Sequence, residues 1–252
     1  MQTMPVAKLR LGSHCSGWES LTMAAKAIGL DDCKIDHKFA SDLDVNCRRV
    51  IRQSSPSNPV IYKDVTKVNH RKTPKVHIFG AGVPCQPFSP EGLRRGRQDP
   101  RGRVTDHVVK YIKLRQPKSF FLENVPQFAG GPHWRRFNQL IETLEGIKDE
   151  DNTPKYVITH RVLNTALHGI PQERKRLYIV GVSHSDMKSP FEWPKELPRT
   201  SAAKFLDPPD ENTVDNPEWP GSQTRLKNLL SAYIKIGKDG DDPMKDFRAH
   251  AR

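Results

Sequence analysis

Short apolar runs alternate with amphipathic stretches along the first two-thirds of the chain, and this alternation constrains the fold more than any other feature. Runs of this length read as strands, and the stretches between them carry helical spacing. Residues 9–14 predict a first strand ending in small residues, and 20–28 a helix closed by Gly29. The rhythm continues with strands at 37–41, 60–62, 76–81 and 119–122, and helices at 43–52, 104–114 and 133–144. Two later strands, 156–158 and 177–182, have little helix between them and predict an antiparallel pair. A β-α-β-α order implies an α/β fold, a mostly parallel sheet with helices on both faces. Ligands of such sheets sit at the carboxyl ends of the strands, so chemistry is expected just after each strand.

Charge points to a polyanionic partner. The 252 residues carry 41 Lys+Arg against 29 Asp+Glu, a net charge of +12. A surplus of this size suits nucleic acid or an acidic surface, with plain solubility as the competing reading. No run of about 18 apolar residues occurs, so no membrane-spanning helix is expected. Residues 1–10 lack the apolar core of a secretion signal. The expected location is therefore intracellular: the nucleus in a eukaryote, the cytoplasm in a bacterium. The cysteines are Cys15, Cys33, Cys47 and Cys85, with no CxxC pair and no zinc spacing. They read as free thiols in a reducing compartment, with no metal site. The composition changes after about Ser183. Residues 189–221 are rich in proline and acids, 226–236 predict one short helix, and 238–252 are polar. The chain divides into a regular domain over 1–188 and a short, irregular region over 189–252.

The sharpest chemical signal follows the fourth strand: Gly80-Ala81-Gly82-Val83-Pro84-Cys85-Gln86-Pro87-Phe88-Ser89. Two glycines and two prolines around a cysteine define a shaped loop that presents the thiol. Arg94, Arg95, Arg97, Arg101 and Arg103 make the surroundings electropositive, which favours thiolate. A lone cysteine in a turn is usually inert; the rest of the pattern shifts that reading.

Pro84-Cys85-Gln86-Pro87-Phe88-Ser89 resembles the nucleophile loop of the DNA (cytosine-5) methyltransferases. The resemblance continues through Gly92, Arg95-Gly96, Asp99 and Arg101-Gly102. Phe121-Leu122-Glu123-Asn124-Val125 is similar to the family's Glu-Asn-Val motif. Gln172-Glu173-Arg174-Lys175-Arg176 is similar to its Gln-x-Arg-x-Arg motif and is followed by the Leu-Tyr-Ile-Val-Gly strand. The ordered set covers roughly residues 8 to 183. It implies a Rossmann-like fold that uses S-adenosylmethionine and methylates C5 of cytosine in double-stranded DNA. Residues 1–188 would then be the catalytic, cofactor-binding domain and 189–252 a short or truncated recognition region.

By this resemblance Cys85 adds to C6 of the base, Glu123 partners N3, Arg174 orients the base or the loop, and Arg176 orders the loop. The chemistry is coherent, because a thiolate at C6 turns the poorly nucleophilic C5 into an enamine-like carbon. The family extrudes its target base, since C6 is unreachable inside the stack. Gln86, Ser89, Arg94, Arg95, Arg97 and Arg101 are the expected nucleic-acid contacts. The cofactor is expected at Cys15, Ser16, Gly17, Asp42, Asp64, Val65 and Pro84. Asp42 would grip ribose hydroxyls, and Asp64 would accept from the adenine amino group. The plain alternatives are strand-end caps for the two aspartates, a turn cap for Glu123 and a solvated basic edge for the arginines. Cys33 and Cys47 are expected to be packing residues.

The chain also departs from the family. Where the family has Phe-x-Gly-x-Gly-Gly, this sequence has Cys15-Ser16-Gly17-Trp18-Glu19-Ser20. The final Arg-x-Leu-Thr-x-Arg-Glu type of segment is not found. Three explanations are a fragment, a second chain that supplies the recognition region, and a degenerate copy. Two functional alternatives stand beside DNA methylation: cytosine-5 methylation of tRNA, and a nucleic-acid-binding or regulatory module without activity. A cysteine hydrolase fares poorly, since no histidine pairs recognisably with Cys85.

Overall fold

The computed structural model describes residues 8–30, 32–55, 57–83 and 103–205. Its strands are β1 (Leu9–His14), β2 (Ile35–Ser41), β3 (Val60–Tyr62), β4 (Ile78–Gly82), β5 (Ser119–Asn124), β6 (Tyr156–Asn164) and β7 (Lys175–Ser183). Its α-helices are α1 (Ser20–Ala27), α2 (Val45–Ser54), α3 (Val104–Arg115) and α4 (Trp134–Glu145). The strands form one sheet in the order β3-β2-β1-β4-β5-β7-β6. The first five pair in parallel, β7 runs antiparallel to β5, and β6 runs antiparallel to β7. This is the expected α/β sheet with its late antiparallel pair. None of the described helices is long and apolar enough to cross a membrane.

Period-two alternation sorts β1 between two cores. Leu11 packs with Ala25 of α1 and Ile35 of β2. His14 points the other way, against the rings of Phe39, Phe79 and Tyr111. Burial drops the His14 imidazole to about 3, so it sits there neutral, bonded to Ser41. That larger core continues through α3, α4 and β5, with Val108, Ile112, Phe120, Leu140 and Leu144.

Several boundaries differ from expectation, those of β2, β4 and β7 by one or two residues, and three differences have a clear physical reason. Helix α2 starts at Val45 because the Asp44 carboxylate accepts from the Asn46 N–H at 2.7 Å and caps the helix there. Strand β5 runs two residues further, because its pairing with β7 extends to Asn124 opposite Leu177. Strand β6 has nine residues, not three. It is an edge strand, and Thr159-His160-Arg161 leave no apolar run to read. Residues 193–199 return over this edge: the Trp193 indole donates to Thr159 and the Leu197 N–H to the Leu167 carbonyl. The chain forms two compact units, Met1–Lys204 and Phe205–Arg252. The second lies almost wholly outside the described residues, as does the helix expected at 226–236.

Gly12 is one of the two tightest points of the larger core, with Gly181, whose Cβ would lie as close to the Phe120 ring. A Cβ on Gly12 would lie 2.3 Å from the Phe39 ring, which is fully buried among His14, Phe79 and Tyr111. Gly12→Ala is expected to destabilise the fold by about 1–3 kcal/mol, because the ring has nowhere to retreat. Thermal unfolding of the two proteins checks it; an unchanged midpoint would mean that Phe39 repacks freely.

Candidate active site

Strands β1 and β4 are neighbours, yet β1 leads outward to β2 and β4 leads outward to β5. The crevice at their carboxyl ends is the switch point where such sheets bind ligands. The register aligns the ends: His14 is opposite Ala81, and Gly82 is opposite Glu123. A Cβ on Gly82 would lie 3.4 Å from the Cys15 carbonyl oxygen and 3.7 Å from Glu123 Oε2. Its missing side chain thus lets the turn after β1 approach the carboxylate at the end of β5. A cavity of about 410 Å³ opens here, lined by residues 13–17, Glu19, Glu123, Arg174 and Tyr178 among others. Hollows of about 560 and 510 Å³ lie elsewhere, beside β6 and between α3 and α4, and neither includes these strand ends.

Glu123 lies at the centre of a charged cluster. Arg176 Nε is 2.8 Å from Glu123 Oε1, and Arg174 Nη2 is 3.9 Å from the same oxygen. Arg174 leads into β7, so Arg174, Arg176 and Tyr178 alternate onto one face, with Tyr178 directly opposite Glu123. The expected shared face is present, and both arginines turn toward Glu123. Arg176 is the tighter partner; Arg174 is half exposed. Burial, and then the Glu123 charge, push the Tyr178 phenol up, so it presents a neutral O–H. The buried Asn124 accepts the Val125 N–H through Oδ1 at 2.8 Å, and its Nδ2 has no partner among the described residues.

The turn after β1 is strained and tightly stitched. Cys15, Gly17 and Glu19 all have left-handed backbones, with φ of 52°, 53° and 63°. For a residue other than glycine this costs about 1–2 kcal/mol. Ser16 ties the turn to the end of β2: its N–H donates to the Ser41 carbonyl, and its Oγ accepts the Ser41 N–H at 3.1 Å. Asp42 accepts the Gly17 N–H at 2.8 Å and the Asp44 N–H at 2.9 Å. Asp64 caps a short 3-10 turn, accepting the Thr66 N–H and hydroxyl through Oδ1. Burial pushes the Asp64 carboxyl up, but these bonds outweigh it and hold the group below its ordinary value. The Val65 side chain packs in the core, which leaves only its backbone toward a ligand. Burial, and then Asp42 and Asp64, raise the Cys15 thiol to about 12, so it stays protonated and unreactive.

The structure therefore brings Cys15, Ser16, Gly17, Glu123 and Arg174 around one cavity, with Arg176 and Asp42 bonded to its walls. Asp64 lies further along the same end of the sheet, past β3. Pro84, Cys85, Gln86, Ser89, Arg94, Arg95, Arg97 and Arg101 lie outside the described residues. Cys33 is exposed, so the packing role expected for it is wrong, and Cys47 is half-buried on α2. Among the cavity residues that the motif pattern did not assign, Tyr178 and Glu19 carry chemistry. Tyr178 was legible as the next alternate position after Arg174 and Arg176. Glu19 was visible only as a lost glycine, although its carboxylate is fully buried in the cavity wall.

The comparisons with known proteins agree with this architecture. A family model for C-5 cytosine-specific DNA methylase matches residues 15–245. The chain is 32% identical over 170 residues to the type II methyltransferase M.NgoBI of Neisseria gonorrhoeae, covering 68% of this chain and 50% of that protein. It is 30% identical over 214 residues to M.HhaI of Haemophilus parahaemolyticus, covering 83% of this chain and 63% of that one. The chain thus spans about half to two-thirds of the length of these relatives. Among solved structures, the Entamoeba histolytica methyltransferase EhMeth superposes with a TM-score of 0.60 at 16% identity, over 83% of this chain and 63% of that one. The S. pombe Dnmt2 methyltransferase superposes with a TM-score of 0.61 at 15% identity, over 90% and 67%. At such identities the structural likeness speaks for the fold alone. The match over most of the sequence, on a sheet whose strand ends gather Glu123 and its two arginines, places the chain in the C-5 cytosine-specific DNA methylase family.

Proposed function

We propose that this chain transfers a methyl group from S-adenosylmethionine to C5 of cytosine in DNA, through a covalent bond between Cys85 and C6. The observation that carries the reading is the pairing of Gly82 with Glu123. Three residues beyond Gly82 the sequence reaches Cys85, and Glu123 waits on the adjacent strand, held by Arg176. The Cys85 thiolate bonds to C6, the C5–C6 π pair moves onto C5, and that carbon becomes the nucleophile. Once C5 is methylated, its proton leaves to water or hydroxide, and the pair released reforms the C5–C6 double bond and expels the Cys85 thiolate. Glu123 meets N3 and offsets the negative charge that develops on the ring, as a general acid placed there would. Arg176 keeps the carboxylate aimed, and the half-exposed Arg174 is left to meet the extruded base. Gln86, Ser89, Arg94, Arg95, Arg97 and Arg101 would contact the nucleic acid, the arginines through its phosphates.

The cavity fits the cofactor on which this family generally depends. The turn presents Cys15, Ser16 and Gly17 with little side-chain bulk, and Asp42 keeps acceptor capacity for ribose hydroxyls beyond its two backbone bonds. Asp64 has one oxygen left over from its cap for an adenine amino group, beside the Val65 backbone; Pro84 would add to this site only as the resemblance implies. When bound, the cofactor supplies a methyl group on a sulfonium, an electrophile that needs no further activation. Residues 1–188 would form the catalytic domain, and 189–252, alone or with a second chain, would read the target.

Methyl transfer from labelled S-adenosylmethionine, tested separately on duplex DNA and on total tRNA, decides the matter. Label in duplex DNA is the expected result. Label confined to tRNA would replace the substrate and keep the chemistry. No label in either, with no cofactor binding, would overturn the enzymatic reading.

A further inference from the structure

Glu19 has the features of a site that lacks its cation. It stands in the turn with a left-handed backbone, and its carboxylate is fully buried in the cavity wall. Ser13 Oγ donates to Oε2 at 2.8 Å, while Oε1 has no hydrogen-bond partner among the described residues. The nearest basic group is His37 Nε2, 3.6 Å from Oε2. That nitrogen is 3.0 Å from the Phe39 carbonyl, to which it donates, and burial drops the imidazole to about 4, so His37 is neutral and no counter-ion. Buried carboxylates are normally paired with a cation or kept protonated. Here burial pushes the Glu19 carboxyl up to about 7, restrained by the hydrogen bonds from Ser13, Thr22 and Ser16. The other polar groups of the cavity do not supply a charge partner: the Cys15 thiol is protonated, and Arg174 and Arg176 turn toward Glu123.

We propose that Glu19 is the residue that recognises the α-ammonium group at the methionine end of the methyl donor, so that this chain selects its donor by a charge pair in the turn after β1. The inference rests on the cofactor reading above. The strain at Glu19 supports it, because a non-glycine residue is held in this conformation only when the surroundings over-determine it. An arriving ammonium would complete the unpartnered oxygen and drive Glu19 to its ionised form. Binding would then release a proton near neutral pH, and affinity would rise with pH through about 7 and level off above it. The titratable groups facing Glu19 are His37 from β2, His14 and Cys15 from β1 and its turn, and Glu123, Arg174 and Tyr178, which line the same cavity; His14 is neutral here, at about 3. His37 and Cys15 titrate well outside that window, at about 4 and about 12.

The test is calorimetry on the full chain with three probes. These are S-adenosylhomocysteine, its deaminated analogue with the carboxylate retained, and methylthioadenosine, which lacks the amino-acid end. Glu19→Gln keeps the shape and a Ser13 bond. It is expected to weaken S-adenosylhomocysteine about tenfold to a hundredfold and to leave the other two within about twofold. Proton release measured in buffers of different ionisation enthalpy should vanish in the variant. Equal loss of all three probes would reduce Glu19 to a structural role and overturn the proposal, as would no loss at all. If Glu19→Gln does not fold, the wild-type chain decides: equal affinity for S-adenosylhomocysteine and its deaminated analogue overturns the proposal. A wild-type chain that binds none of the probes overturns the cofactor reading itself, and this inference with it.

Discussion

Cys85→Ala is expected to abolish methyl transfer, a loss of about 10⁴-fold or more, because the alanine removes the atom that bonds to C6 and leaves no alternative route to a nucleophilic C5. The size of the effect follows from the chemistry. Orientation and charge stabilisation can assist attack by C5, but they cannot create the electron pair. Cofactor binding should survive, since the turn after β1, Asp42 and Asp64 are untouched by the change. A second readout separates chemistry from misfolding. Duplex DNA carrying 5-fluorocytosine should form a covalent complex with the wild-type chain, seen as a denaturation-resistant band, because the fluorine cannot leave as a proton does. Cys85→Ala should give no such band, and Cys33→Ser, a change at an exposed cysteine away from the cavity, should give it in full. Transfer that persists in Cys85→Ala would remove the covalent mechanism.

Most of the sheet was legible because its central strands are short apolar runs, and a run such as Leu177-Tyr178-Ile179-Val180 admits few other readings. What escaped were features set by partners distant in sequence, or by one capping side chain. The full length of β6 depends on nine register pairs with β7, and its outward residues are too polar to announce a strand. The start of α2 turned on one side chain, Asp44, rather than on the apolar residues Leu43 and Val45, both of which are exposed. The candidate site divides the same way. Glu123, Arg174 and Arg176 were readable because the motifs fix them, and the sheet then brings them together. The link between Asp42 and the Gly17 N–H needed the folded turn. Glu19 looked like a defect in a glycine-rich turn; only its burial and the absence of a cationic partner among the described residues give it chemical meaning.

Glu123→Gln carries the second large effect. Among the described residues at the β5 end, Glu123 carries the carboxyl group that the proposed mechanism places at N3 while attack at C6 builds charge on the ring. An amide can donate a hydrogen bond but cannot transfer the proton. General acid catalysis of this kind contributes about 10²–10⁴-fold, and kcat is expected to fall within that range. The amide keeps an oxygen for Arg176 Nε, so the 2.8 Å contact can persist in weakened form and the strand end should hold its shape. Affinity for S-adenosylhomocysteine should change less than about threefold, since the cofactor contacts proposed above fall on the turn after β1, Asp42 and Asp64 and not on Glu123. Arg176→Ala makes the contrast. It leaves the carboxylate in place but removes its closest restraint, so kcat should fall by about tenfold, the effect of a positioning residue. Single-turnover rates and calorimetry on the two variants separate these cases. If Glu123→Gln lowered cofactor affinity and left the single-turnover rate intact, the carboxylate would belong to the cofactor site, and the N3 assignment would fall.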